Sequence, residues 1–266
     1  MTGAPRWDPG CYGAFARERA QPFFDLLAFV HARPGMRACD LGCGSGALTG
    51  ALHDALSAEE TVGVDRDEAM LARAEPRGGV RFEREDIASF IARPDAQGAF
   101  DLVFSNAALH WLSDHEDLMK RLVGCLAPGG QLAFQVPANH DHPAHVAADE
   151  VAREDRFRGA LSGYERGVPV LDVGRYAEVL YRAGLRPPVA QARVYLHELE
   201  SRDDVVTWLR GSLLTAYEAR MSTADFEAYV SRFSARLREV LSDDAPFLYT
   251  YKRILVYGRD VLAPPA

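Results

Sequence analysis

The chain's 266 residues, 48% of them hydrophobic and 26% charged, can bury a substantial core and fit one large domain or one domain with an insertion. A formal charge of -8, from 30 basic against 38 acidic residues, argues against a general nucleic-acid or membrane-surface binder while leaving room for a local basic pocket. The scattered Cys11, Cys39, Cys43 and Cys125 lack zinc-ribbon or disulfide spacing, and neither a signal pattern in "MTGAPRWDPG" nor a bilayer-length apolar run is visible, so a cytoplasmic chain with reduced thiols is expected.

From about Pro22 to Pro137, short apolar runs alternate with helical patterns. "MRACDLG" predicts a strand ending in an acid and a glycine, "ALTGALHDAL" a helix, and "TVGVDRD" a second strand of the same design. "DEAMLARAE" and "HEDLMKRLVGCL" carry apolar residues at helical spacing, between the strand candidates "VRFEREDI", "FDLVFSNA" and "GQLAFQVP". "APGG" predicts a break before the fifth strand. Such alternation means βαβ units and a doubly wound, mostly parallel sheet. Beyond it, "HPAHVAADEVARE" and "DVGRYAEVLYRAGL" read as helices, the second stopped by Gly184. "PPVAQARVYLHEL" reads as strand six, residues 202–241 as a helical lid, and "FLYTYKRILVYG" as the last strand. The expected organisation is one domain with a core over residues 35–137, an N-terminal cap helix within 1–31 and a helical insertion at 201–241.

Ligands of open α/β sheets sit beyond the carboxyl ends of the strands, where every candidate acid falls. Gly42, Gly44 and Gly46 let the backbone turn sharply and approach a ligand closely. Asp65, ending strand two, can accept from both ribose hydroxyls of a nucleoside; Asp86, ending strand three, and Ile87 suit an adenine amino group and an apolar wall. The pattern Gly42-x-Gly44-x-x-Ala47 also satisfies the looser oxidoreductase fingerprint. Against a dinucleotide stands Asp40, whose charge would repel a pyrophosphate but suits an amine-bearing ligand, together with the strand-lid-strand ending.

In this order, "DLGCGSG", "GVDRDEAM", "EDI", "FDLVFSNAALHWL" and "LAPGGQLAFQVP" resemble the class I S-adenosylmethionine-dependent methyltransferases over about Arg37 to Pro137. The resemblance implies a seven-stranded Rossmann-like sheet with S-adenosyl-L-methionine as cofactor. Asp40 and the loop of Gly42, Cys43, Gly44 and Gly46 would meet its methionine moiety, with Asp65 at the ribose and Asp86 and Ile87 at the adenine. Asn106 and Ala107 would lie near the reactive methyl; Arg19, Arg66, Met70 and Trp111 complete the implied cofactor set. "WDPGCYGAFARERAQPF", "PAHVAADEVA", "YLHEL", "WLRGSLL" and "YKRILVYG" are similar, more narrowly, to the trans-aconitate 2-methyltransferase family. That likeness implies a small carboxylic acid as acceptor, touched by Tyr12, Phe15, Trp208, Arg210 and Arg253. Gln21 departs from it, standing where the family pattern has arginine.

Methyl transfer from a sulfonium is an in-line displacement, so alignment is the main task. A carboxylate is already ionised and needs arginine and dryness rather than a base. An alcohol or carbon nucleophile would need a base, for which His110 and His197 are candidates beside Arg253. Another small acceptor, such as a malonyl-carrier thioester or a secondary metabolite, remains an alternative. So, from other classes, do an NAD-dependent oxidoreductase and a non-catalytic cofactor-binding module. "NHDHPAH" groups His140, His142 and His145, but a metallo-hydrolase run needs Asp where Ala144 stands, so a solvated loop opening a helix is expected and no metal. No pattern speaks to oligomeric state.

Overall fold

The computed structural model describes residues 16–259, which form two compact units. One, the sheet unit, holds residues 19–137, 169–193 and 253–259; the other, the helical unit, holds 16–18, 138–168 and 194–252. The helical segment before the last strand therefore clusters with the helices that follow strand five.

The chain begins with α1 (Ala16–Leu27), then β1 (Arg37–Leu41), α2 (Thr49–Leu56), β2 (Glu60–Asp65), α3 (Glu68–Leu71), β3 (Val80–Arg84), α4 (Ile87–Phe90) and β4 (Phe100–Asn106). It continues through α5 (His115–Gly124), β5 (Leu126–Pro137), α6 (Pro143–Arg153), α7 (Asp155–Ala160), α8 (Val173–Arg182) and β6 (Val189–Leu199). Helices α9 (Asp204–Arg210), α10 (Thr215–Glu218) and α11 (Thr223–Val240) precede β7 (Phe247–Arg259). The seven strands lie in the order β3-β2-β1-β4-β5-β7-β6; β1 to β5 pair in parallel, and β7 runs antiparallel to β5. This is the expected doubly wound sheet, reversed only at its end.

Two local expectations need correction. "APGG" does not precede strand five but lies inside it: Leu126 already pairs with Phe100, and the register then shifts so that Gln131 pairs with Leu102. The four residues form an irregularity that one partner strand tolerates, with Gly129 at φ 76°. Strand three ends at Arg84, so Asp86 does not end it; its carboxylate instead caps α4 by accepting from the Ala88 N–H at 2.8 Å.

The sheet unit packs Met36, Ala38, Leu102, Phe104, Ala133 and Leu255 against Phe23 and Leu26 of α1 and Leu52 and Leu56 of α2. These burials fix the strand ends that carry the site. In the helical unit, α6 supplies Ala144, Ala147, Ala148 and Val151 to a core shared with Trp208, Tyr229, Phe233 and Tyr249. The small side chains on α6 let α11 come close, close enough for the Tyr229 hydroxyl to donate to the Ala148 carbonyl at 2.9 Å. Asp149 ties the unit further, accepting from Arg166 at 2.8 Å and from the Tyr217 hydroxyl at 2.6 Å.

Candidate active site

The parallel strands of the sheet unit bring Asp40, Asp65 and Asn106 to their carboxyl ends, with Asp86 just beyond β3. Between β1 and α2 the loop turns through three residues in the left-handed region: Gly42 at φ 77°, Gly44 at 57° and Gly46 at 70°. Close approach adds a second demand at Gly42, where a Cβ would sit 2.1 Å from that of Ala108. The loop is anchored to β2, with the Gly42 and Cys43 N–H groups donating to the Val64 carbonyl.

Asp65 holds this arrangement together before any ligand arrives. One carboxylate oxygen accepts from the Gly44 N–H at 2.8 Å and the other from the Asp67 N–H at 2.9 Å. It thereby couples the glycine loop to the turn after β2, and each oxygen keeps a lone pair for a hydroxyl. Met70, buried on α3, lies under the loop with its Cε 3.1 Å from where a Gly44 Cβ would stand. Arg66 is exposed.

Asp40 is 4% exposed and accepts from the Thr49 hydroxyl at 2.7 Å. Burial pushes its carboxyl up to about 6, the Asp65 charge adds to the rise, and the Thr49 bond opposes it. Among the described residues no cation pairs with it. An ionisable acid held dry beside a glycine loop fits a ligand that brings its own ammonium, as the methionine moiety of S-adenosylmethionine does. Half-buried Asp86 and Ile87 fit the adenine end. Burial pushes the Cys43 thiol far above its ordinary value, so it is a packing group here.

At the end of β4, Asn106 and Ala107 are both half-buried, and Ala107 adopts φ 55°, which costs a non-glycine residue energy. The fully buried Gln135 secures them. Its backbone carbonyl accepts from the Ala107 N–H at 3.0 Å, and its side-chain N–H donates to Asn106 Oδ1 at 2.6 Å. Its remaining oxygen accepts from Arg253 Nη1 at 3.1 Å, with Arg253 only 5% exposed on β7. Asn106, Gln135 and Arg253 thus form a buried polar chain across β4, β5 and β7, and sequence reasoning missed its central member. The available signal was a glutamine between Phe134 and Val136 in a strand that reads as buried.

His110 is half-buried and its ring lies 4.7 Å from that of Trp111, which is 42% exposed. Gln21 donates to Asp25 at 3.0 Å, and Asp25 pairs with Arg193 at 3.1 Å. Tyr12, Phe15 and the side chain of Arg19 lie outside the described residues.

The other expected acceptor contacts fall in the helical unit. Trp208, 2% exposed on α9, stacks at 4.5 Å on His197, which is 6% exposed on β6. Arg210 pairs with Glu227 at 2.6 Å and lies over the Phe226 ring. The histidine run is not the expected solvated loop throughout. His140 is exposed and His142 caps α6, accepting from the Ala144 N–H, but His145 is buried within that helix. Among the described residues no cluster of histidine, cysteine or carboxylate groups has a metal-holding arrangement.

A methyltransferase-domain family model matches residues 39–134. The chain is 35% identical over 257 residues to the trans-aconitate 2-methyltransferase of Deinococcus radiodurans, covering 94% of this chain and 96% of that one. The enzyme of the same name from Variovorax paradoxus is 35% identical over 256 residues, covering 95% of each. Among solved structures, the YcgJ protein of Bacillus subtilis has the same fold, with a TM-score of 0.55 at 16% identity over 92% of this chain and 99% of that chain. A phosphoethanolamine N-methyltransferase from Haemonchus contortus, solved with S-adenosylhomocysteine, gives 0.52 at 17% identity over 91% of this chain and 52% of its own.

Proposed function

This chain belongs to the trans-aconitate 2-methyltransferase family, and from that premise we propose that it moves a methyl group from S-adenosyl-L-methionine to a carboxylate of trans-aconitate or a closely similar small acid. The products are the methyl ester and S-adenosylhomocysteine. The observation that carries the reading is buried Arg253, held by Gln135 in the same hydrogen-bonded chain as Asn106.

When bound, the cofactor supplies a methyl on a positively charged sulfur. Asp40 would receive its ammonium, Asp65 its ribose hydroxyls, and Asp86 with Ile87 its adenine. Asn106 and Ala107, tied to Gln135, would line the wall beside the methyl. Arg253 presents a guanidinium whose orientation Gln135 fixes, and a carboxylate is the group that a fixed guanidinium binds best. A carboxylate oxygen held by Arg253 would form the new C–O bond as the C–S bond breaks, the pair leaving on sulfur. No proton has to leave, so neither His110 nor His197 is required as a base.

The test is a labelled-methyl assay against trans-aconitate, other di- and tricarboxylates, and a malonyl-carrier thioester. Ester formation on a carboxylate, lost on Arg253→Ala, is the expected result. Turnover of a neutral acceptor only, unchanged by Arg253→Ala, would overturn it.

A further inference from the structure

The helical unit contains a cluster of aromatic and imidazole rings that the methyl-transfer chemistry above does not use. Tyr249 lies 5.0 Å from His142, 5.8 Å from Trp208 and 5.9 Å from Tyr251, centroid to centroid. His145 lies 6.4 Å from both His142 and Tyr251, and His197 stacks 4.5 Å from Trp208. Four elements build it: the start of α6, the end of β6, α9 and the first half of β7.

Within this cluster three polar atoms are buried with nothing to bond. They are both ring nitrogens of His145 and the hydroxyl of Tyr249, on residues 6% and 0% exposed. Buried polar groups are nearly always satisfied, and each one left bare costs stability comparable to a lost hydrogen bond. Two such residues sharing the same neighbours, His142 and Tyr251, mark a place built for something the protein itself does not provide.

The groups on offer define the ligand. A neutral imidazole presents one N–H donor and a tyrosine one O–H donor, the set that a carboxyl oxygen pair accepts. Burial keeps His145 uncharged and Tyr249 protonated. Arg166 is the cation acting on His145 and is itself paired with Asp149, while burial pushes His142 down as well. The flat rings of Trp208, Tyr249 and Tyr251 suit a planar, conjugated acid.

We propose that His145 and Tyr249 form a carboxyl-binding site in the helical unit, for the small unsaturated acid that the enzyme methylates. This rests on the functional reading above for the identity of the acid, but not for the existence of the site.

Two variants, Tyr249→Phe and His145→Gln, test it in the full-length chain. Each is measured for the KM of trans-aconitate, the affinity for S-adenosylhomocysteine, and the melting temperature. Tyr249→Phe is expected to raise that KM about tenfold or more, leave S-adenosylhomocysteine binding unchanged, and raise the melting temperature by removing an unsatisfied hydroxyl. A higher melting temperature with KM within twofold of wild type in both variants means a structural void or a buried water, and overturns the proposal. Should the enzyme not methylate trans-aconitate, calorimetric titration with trans-aconitate, citrate and succinate separates the two readings. A carboxylate that binds wild type and loses affinity in either variant sustains the site while the acceptor assignment falls. Equal binding in wild type and variants, or none in wild type, overturns the site.

Discussion

Replacing Asp40 by asparagine should stabilise the protein and weaken the cofactor site together. Displacing a carboxyl from 3.8 to about 6 is worth about 3 kcal/mol against its ionised form. Because the folded value lies above the unfolded one, Asp40's contribution is full below pH 3.8 and is lost as pH rises through about 6. At pH 7.5 the wild type carries the whole penalty. Asparagine carries none and can still accept from the Thr49 hydroxyl, so Asp40→Asn should be about 1–3 kcal/mol more stable there. The gap should narrow as pH falls below 6, to about half near pH 5, and close only toward pH 3.8. S-adenosylhomocysteine carries the same ammonium as the cofactor. Its affinity for wild type should fall by up to about tenfold per pH unit below 6, as the carboxylate that would receive it is protonated. For Asp40→Asn that affinity should be weaker at pH 7.5 and nearly flat with pH. Denaturant melts and calorimetry at pH 5.5, 6.5 and 7.5 measure both quantities. A variant less stable than wild type at pH 7.5, or two parallel binding profiles, would refute the reasoning.

Gly42→Ala must place a Cβ against Ala108 at a backbone angle that alanine disfavours, so a loss of about 2 kcal/mol or more in stability and of measurable S-adenosylhomocysteine binding is expected by thermal shift. Gln135→Leu leaves Arg253 Nη1 and Asn106 without the bonds recorded for them; kcat/KM for the carboxylate acceptor should drop at least tenfold, by initial rates, while cofactor affinity changes less. Asp149→Asn weakens a hub that binds Arg166 and Tyr217 in a partly buried setting, and equilibrium unfolding should show a loss of about 2–4 kcal/mol.

The parts of the site that could be read from the sequence are those whose chemistry is local. A glycine loop bounded by Asp40 and followed by Asp65 announces itself because its backbone angles and strand-end acids are set within a few residues. Every one of its glycines sits where only glycine is comfortable. Asp86 was expected to end strand three and instead caps the short helix after it, since a carboxylate that caps such a helix resembles one that ends a strand. Gln135 and His145 escaped for a different reason. Their partners are distant in the chain: Gln135 meets Asn106 and Arg253 only through strand pairing on both sides. His145 sits in a run of histidines and acids that reads as solvated, yet it is buried, with Tyr251 of the distant last strand beside its ring.

The same contrast separates donor recognition from acceptor recognition. A loop that binds an invariant nucleoside can be encoded in a short motif, because one backbone geometry serves every member that uses the ligand. An acceptor must instead be met by side chains from several elements, each satisfied or left bare by packing that no short segment encodes. In the sheet unit, Gln135 accepts from Arg253 and so limits its orientation. In the helical unit, His145 and Tyr249 are buried and bare, a cost to stability that binding would offset. That cost is also why Tyr249→Phe discriminates so directly. A hydroxyl kept for binding gives up affinity when removed, whereas one that is only a packing defect gives up nothing and leaves a more stable protein.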